Sequence, residues 1–197
     1  MRKIEIGDLK NLHEYELIRD DWRKSVIAEK TRRRVLVGPS LSLVFENRLT
    51  VLSQIQEMCR AERIVKREAV QEEIDVYNEL LPDAGELAAT LMIEITEERR
   101  IQPELDRLIG LTNGRCLLLE IGERRIYARF LEGQSREDRI AAVQYLRFPA
   151  GGDATLREAL LNPRVPARVR VTHPNYEAAA ELPMETRREL ARDLVAD

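Results

Sequence analysis

FENRLTVLSQIQEMCRAER, residues 45–63, is the stretch from which the rest of the chain can be read. Advancing ~100° per residue from Thr50 puts Val51, Leu52, Ile55, Met58 and Cys59 on one side, which predicts an amphipathic helix. Glu62 projects into that same side, and so does Arg48 if the helix begins early enough. A carboxylate on an apolar face costs several kcal/mol unless it is paired, protonated or metal-bound. Thr50, Gln54 and Glu57 form a polar stripe on another face, and Glu46 ends the preceding segment.

The next segment, residues 68–81, repeats the oddity. Ile74, Tyr77 and Leu81 belong to a broad apolar arc with Glu73 inside it, and Pro82 stops the pattern. The short connection predicts an antiparallel or steeply crossed helix pair. Upstream, Asp8 reads as the N-cap of a helix through Leu9, Leu12 and Leu17. A second helix is expected from Asp20 or Asp21, carrying Trp22, Val26 and Ile27 and closed by Arg32, Arg33 and Arg34. Strands are expected at residues 35–37 and 41–45, around the Gly38-Pro39 turn signal.

Downstream the pattern is mostly β. Strands are expected at residues 88–95, 115–121, 124–130, 142–148 and 167–173, with Gly122-Glu123 as a two-residue hairpin turn. Residues 142–148 are expected to extend that hairpin into a meander. Short helices fit residues 104–111, 156–161 and 185–195, and Gly114, Gly151 and Gly152 read as turn residues. The chain is thus expected to be one α+β domain over residues 1–197. Residues 1–82 form a mostly helical front packed on a mainly antiparallel sheet or meander, residues 83–197 are mostly β, and a short C-terminal helix closes the chain.

Composition narrows the function. The net charge of −3 argues against a dedicated nucleic-acid binder. No stretch is apolar enough to be a secretory leader or to span a bilayer. Cys59 and Cys116 fit neither a CxxC pair nor a disulfide framework, and a cytoplasmic setting is the expectation that follows. No Gly-rich phosphate loop, dinucleotide fingerprint, G-x-S-x-G or zinc spacing occurs.

Two constellations could carry function. The first is a metal or proton-handling site from Glu46, Glu57, Glu62 and Glu73, with His173 as a possible further ligand or base. Carboxylates on helices suit iron or manganese. The alternative is ion pairing with Arg48, Arg60 or Arg63, which would pin the helices together. No Glu-x-x-His pair, the mark of helical di-iron proteins, is present. The second constellation is a basic, aromatic sheet face. Strand alternation puts Arg125, Tyr127 and Arg129 on one side, Tyr145 and Arg147 on the matching side of the next strand, and Arg168 with Arg170 on a later one. If those strands are neighbours, the face would suit an acidic partner protein, a phosphate-bearing ligand or single-stranded nucleic acid. A solvated face balanced by Glu120, Glu123 and Glu132 is the simpler alternative.

The runs Arg33-Arg34-Val35, Val37-Gly38-Pro39, Phe45-Glu46-Asn47-Arg48, Gln54-Ile55-Gln56-Glu57-Met58 and Arg60-Ala61-Glu62-Arg63-Ile64 resemble a bacterial family, domain of unknown function 3501. Tyr77-Asn78-Glu79-Leu80, Tyr145-Leu146-Arg147-Phe148 and His173-Pro174 fit the same pattern. The resemblance extends over nearly the whole chain. It implies a bacterial cytoplasmic protein with no transferable activity. It also implies association with redox or peroxide-stress systems, with a rubrerythrin-like protein or an iron–sulfur oxidoreductase as partner. The expectation drawn from all of this is a non-catalytic accessory or binding protein using the Arg/Tyr face. The alternatives are a carboxylate-bound iron or manganese protein, and a nucleic-acid or phosphate-ligand binder.

Overall fold

In the computed structural model, the described residues are 1–195 except 114, 134, 136, 137 and 152. The expected turns at Gly114 and Gly152 therefore lie outside them. The elements are α1 (Leu12–Arg33), β1 (Arg34–Val37), β2 (Leu41–Glu46), α2 (Arg48–Ala61), α3 (Arg67–Asn78), β3 (Glu86–Ile93), α4 (Ile101–Arg107), β4 (Leu117–Ile121), β5 (Arg124–Tyr127), β6 (Arg129–Phe130), β7 (Val143–Pro149), α5 (Ala154–Leu161), β8 (Ala167–His173), β9 (Tyr176–Glu181) and α6 (Met184–Asp193). The protein is α+β, with front helices on antiparallel strands and a short helix at the C-terminal end, as the residue patterns predict.

The strands divide between two antiparallel sheets, ordered β1-β2-β3-β7-β6 and β5-β4-β8-β9. The expected meander is split between them: the strand read at residues 124–130 breaks into β5, which stays beside β4, and β6, which does pair with β7, while β3 takes the other edge of β7 and β8 that of β4. Only Ala128 separates β5 from β6, so the chain changes sheets there. The inner faces of both sheets meet in one core, where Phe45, Leu91, Leu119, Phe148 and Val169 are wholly buried alongside Leu156 and Leu160 of α5 and Leu190 of α6. Fully hiding each such side chain contributes about 1.5–3 kcal/mol.

Strand β2 is buried at all six positions. Leu41, Leu43 and Phe45 face the sheet-to-sheet core. On the other side α1 packs against the strand, and Glu46 meets Thr50 and Gln54 of α2. A second core lies among the helices, built on Ile4, Val51, Ile55, Cys59 and Ile74.

α1 is one helix of 22 residues, not the two expected, and its N-cap is Asn11 rather than Asp8. Asp20 and Asp21 are poor helix formers but not breakers. The inward stripe Tyr15, Arg19, Trp22, Val26, Glu29 and Arg33 continues through them at three- and four-residue spacing. Asp8 ends a 3-10 turn, Ile6–Asp8, and holds Arg48 and Arg2.

The β1–β2 hairpin fixes the relation between the two sheets. Gly38 has φ +72°, and a Cβ there would sit 2.5 Å from the Tyr176 hydroxyl. That hydroxyl donates to the Val37 carbonyl at 2.6 Å and accepts from the Ser40 N–H at 3.2 Å. Tyr176 opens β9, a strand the sequence reading missed because Ala178, Ala179 and Ala180 resemble helix.

Candidate functional site

α2 stops one residue before its apolar arc does. Arg63 turns left-handed at φ 55°, and the Ile64 N–H returns to the Cys59 carbonyl at 2.8 Å. This 6→1 closure ends the helix and leaves Glu62 exposed. The misplaced carboxylate of the sequence is therefore a solvated C-cap residue. Arg48, its expected partner, pairs with Asp8 instead.

The other candidate ligands are spread out. Glu57 takes two hydrogen bonds from Arg19, both 2.9 Å, and one from the Tyr15 hydroxyl at 2.6 Å. Arg19 holds the Glu57 carboxyl below its usual value against the opposing effect of burial. Burial, with Glu57 alongside, pushes the Tyr15 phenol up. Glu73 is half-buried on α3; burial, then Tyr145, Glu73 and Glu62, raise the nearby Tyr77 phenol. His173 lies in the other sheet. Its Nδ1 accepts from the Asn175 N–H at 3.2 Å, which leaves Nε2–H to donate to the Ile109 carbonyl at 3.0 Å. Both nitrogens are thereby used in a turn. The five residues expected to gather around iron or manganese are not brought together. Among the described residues no three His, Cys, Asp or Glu side chains cluster as a metal would require.

Among the four candidate glutamates Glu46 is the buried one, at 4% exposure. It accepts from Thr50, from Thr90 at 2.6 Å and from Gln54 at 3.2 Å, and no cation pairs with it among the described residues. Burial, with Glu46 adding to it, raises the Tyr145 phenol.

The arginine face is split. Arg125, Tyr127, Arg168 and Arg170 lie around buried Glu120, which pairs with Arg168 and lies 3.8 Å from both Arg125 and Arg170. Tyr127 carries the Arg115 guanidinium 4.9 Å above its ring. Arg129, Tyr145 and Arg147 belong to the other sheet, where Glu86 meets Arg129 at 2.7 Å and Arg147 at 3.0 Å. The simpler alternative holds in part: each group of arginines carries its own neutralising glutamate.

Sequence reasoning missed the largest buried charge. Arg33, 2% exposed, donates to Glu29 at 2.6 Å, Asp193 at 2.5 Å and Glu189 at 3.2 Å. Burial opposes ionisation of Glu29, but Arg33, Arg32 and Asn47 outweigh it and lower its pKa. Burial wins at Asp193, helped by Glu189 and Glu29, and raises its pKa against Arg33. The four-residue spacing of Glu29 and Arg33 was visible; the α6 partners were not.

An apolar cavity lies beneath the N-terminal segment. Two buried amides hold that segment as a strand partner would. Asn78 accepts from the Ile4 N–H at 2.8 Å and donates to the Ile4 carbonyl at 2.9 Å. Gln56 does the same at Lys10, with both distances 2.9 Å. The cavity between segment, α2 and α3 measures about 300 Å³, at the lower end of the ~300–1,000 Å³ typical of ligand pockets. Its wall is Ile6, Leu9, Leu12, Cys59, Ile64, Val65 and Val70, and Lys10, Asn11 and Arg67 stand at its rim. Burial, then Glu73, raises the Cys59 thiol, so it lines the wall as an uncharged group.

A family model covers this whole arrangement, matching residues 3–194. The chain belongs to that family, described as Protein of unknown function (DUF3501). A crystal structure at 1.90 Å of a protein of unknown function from Burkholderia pseudomallei K96243 is similar to this DUF3501 chain, with 32% identity and a TM-score of 0.88. The match covers 98% of this chain and 100% of that one. No curated protein matches the chain.

Proposed function

We propose that this DUF3501 protein is a non-catalytic binding protein that holds a small, mainly apolar molecule in the cavity beneath its N-terminal segment. The observation that carries the reading is the construction of the site. Gln56 fixes the strap at Lys10, beside the apolar hollow, and Asn78 anchors its other end at Ile4. The potential catalytic groups are otherwise engaged: Glu46 and Glu57 by hydrogen bonds, His173 at both nitrogens.

The uncharged dye Nile red tests this. Saturable one-to-one binding by the parent is expected, with at least about tenfold weaker binding by Val70→Trp, which fills the cavity. Equal binding by the two proteins, or no saturable binding by the parent, would overturn the reading.

The redox-system partner implied by the family resemblance, rubrerythrin-like or iron–sulfur, belongs to the same proposal. Exposed Arg125 and Arg129 support an acidic partner on the sheet side of the molecule. A cytoplasmic setting is proposed with it, supported by two free cysteines. Among the described residues no helix is long and apolar enough to cross a membrane.

A further inference from the structure

Lys10 and Arg67 line the cavity, Arg63 lines the hollow that adjoins it at Leu12 and Val65, and Lys66 precedes Arg67 in the α2–α3 connection. None of the four has a carboxylate within ion-pair distance among the described residues, whereas Arg60 next to them is held by Glu16 at 2.5 Å. α3, of 12 residues, begins here with Lys66 in the N-cap position and no side-chain cap, so its first N–H groups lack a side-chain acceptor. Glu68, the acid of that first turn, is exposed. An apolar hollow with an unpaired cationic mouth is complementary to a molecule with two unlike ends.

We propose, resting on the cavity reading above, that the ligand is an anionic amphiphile: a short acyl chain ending in a carboxylate. The chain lies against Cys59, Ile64 and Val70, and the head meets Lys10, Arg67 and the open N–H groups of α3. About 300 Å³ accommodates a chain the length of octanoate, and a longer chain would run on into the hollow beside Leu12 and Val65.

Titration calorimetry with octanoate, 1-octanol and octylamine separates this proposal from the one it rests on. Octanoate is expected to bind about tenfold tighter than octanol, with octylamine weakest. In the double variant Lys10→Glu/Arg67→Glu the order of the charged ligands should reverse, while octanol affinity stays within about twofold. Both substituted residues are exposed, and an unchanged thermal midpoint certifies the fold. Octanol binding as tightly as octanoate would overturn the anionic assignment and leave the cavity reading standing. Failure of all three, together with no Nile red binding, would remove both.

Discussion

Arg33 and Glu46 are both hidden behind the front helices, but the protein provides for them in opposite ways. Arg33 is surrounded by charge, with Glu29 from its own helix and Glu189 and Asp193 from α6. Glu46 is surrounded by neutral donors, the hydroxyls of Thr50 and Thr90 and the amide of Gln54. One network joins the two. Asn47 Nδ2 donates to Glu29 at 2.8 Å, and its backbone N–H donates to Thr50 Oγ1 at 2.9 Å. Thr50 in turn holds Glu46. The difference between the ends concerns replaceability. A hydroxyl can donate or accept, so the Glu46 cradle can adapt to a changed partner. The carboxylates around Arg33 can only accept, and without the guanidinium they face each other.

Removal of Arg33 should therefore have the largest effect. Arg33→Met is expected to cost about 3–5 kcal/mol, measured by urea unfolding, because three carboxylates are left without their common cation. A loss below about 1 kcal/mol would erase the contrast with Glu46. Next comes the link between them: Asn47→Ala removes the α2 N-cap and the bond to Glu29, and should cost about 1–2 kcal/mol. Glu46→Gln should cost only about 1 kcal/mol, since Thr50 and Thr90 can turn to suit an amide. A double cycle of Arg33→Met with Glu46→Gln should give a coupling of at least about 0.5 kcal/mol if the network transmits.

Smaller still is the acid response. Asp193 is raised above its ordinary 3.8, so ionising it opposes folding. That penalty is absent below 3.8 and complete above the raised folded value. Asp193→Asn should therefore gain on the parent as pH rises through this window, in urea midpoints taken across it. Glu29, lowered from 4.5, has the reverse sign: its contribution is present above 4.5 and is lost as pH falls through the folded value. Glu62→Gln should leave the unfolding midpoint unchanged, since its carboxylate is solvated at the helix end.

These ranks also describe what the chain could disclose beforehand. Strand β8 falls at residues 167–173 as read, because Val169 and Val171 alternate with Arg168 and Arg170 around one buried face. The Gly122 hairpin and α2 were legible for the same reason: apolar period and turn chemistry are local. The buried charges were not. The inward stripe of α1 carries Arg19, Glu29 and Arg33 where hydrophobicity was sought, so a continuous helix looked like two. Glu62 looked buried because the periodicity runs on past the point where Arg63 turns the backbone. The arginine face depended on β7 lying beside the hairpin, and strand order is not written in alternation. The cavity left even less trace, since Gln56 and Asn78 resemble any polar helix residues until Lys10 and Ile4 are placed opposite them.

Strand β2 has one further consequence. It lies between the sheet-to-sheet core, which Leu41, Leu43 and Phe45 enter, and the front helices, where α1 packs on it and Thr50 of α2 holds Glu46, and all six of its residues are buried. Neither layer can peel away without uncovering it. Its amide protons should be the last in the molecule to exchange with deuterium, and only through global opening. Those of the strap at residues 4–10, tied at two points to α2 and α3, should exchange through a separate, easier opening.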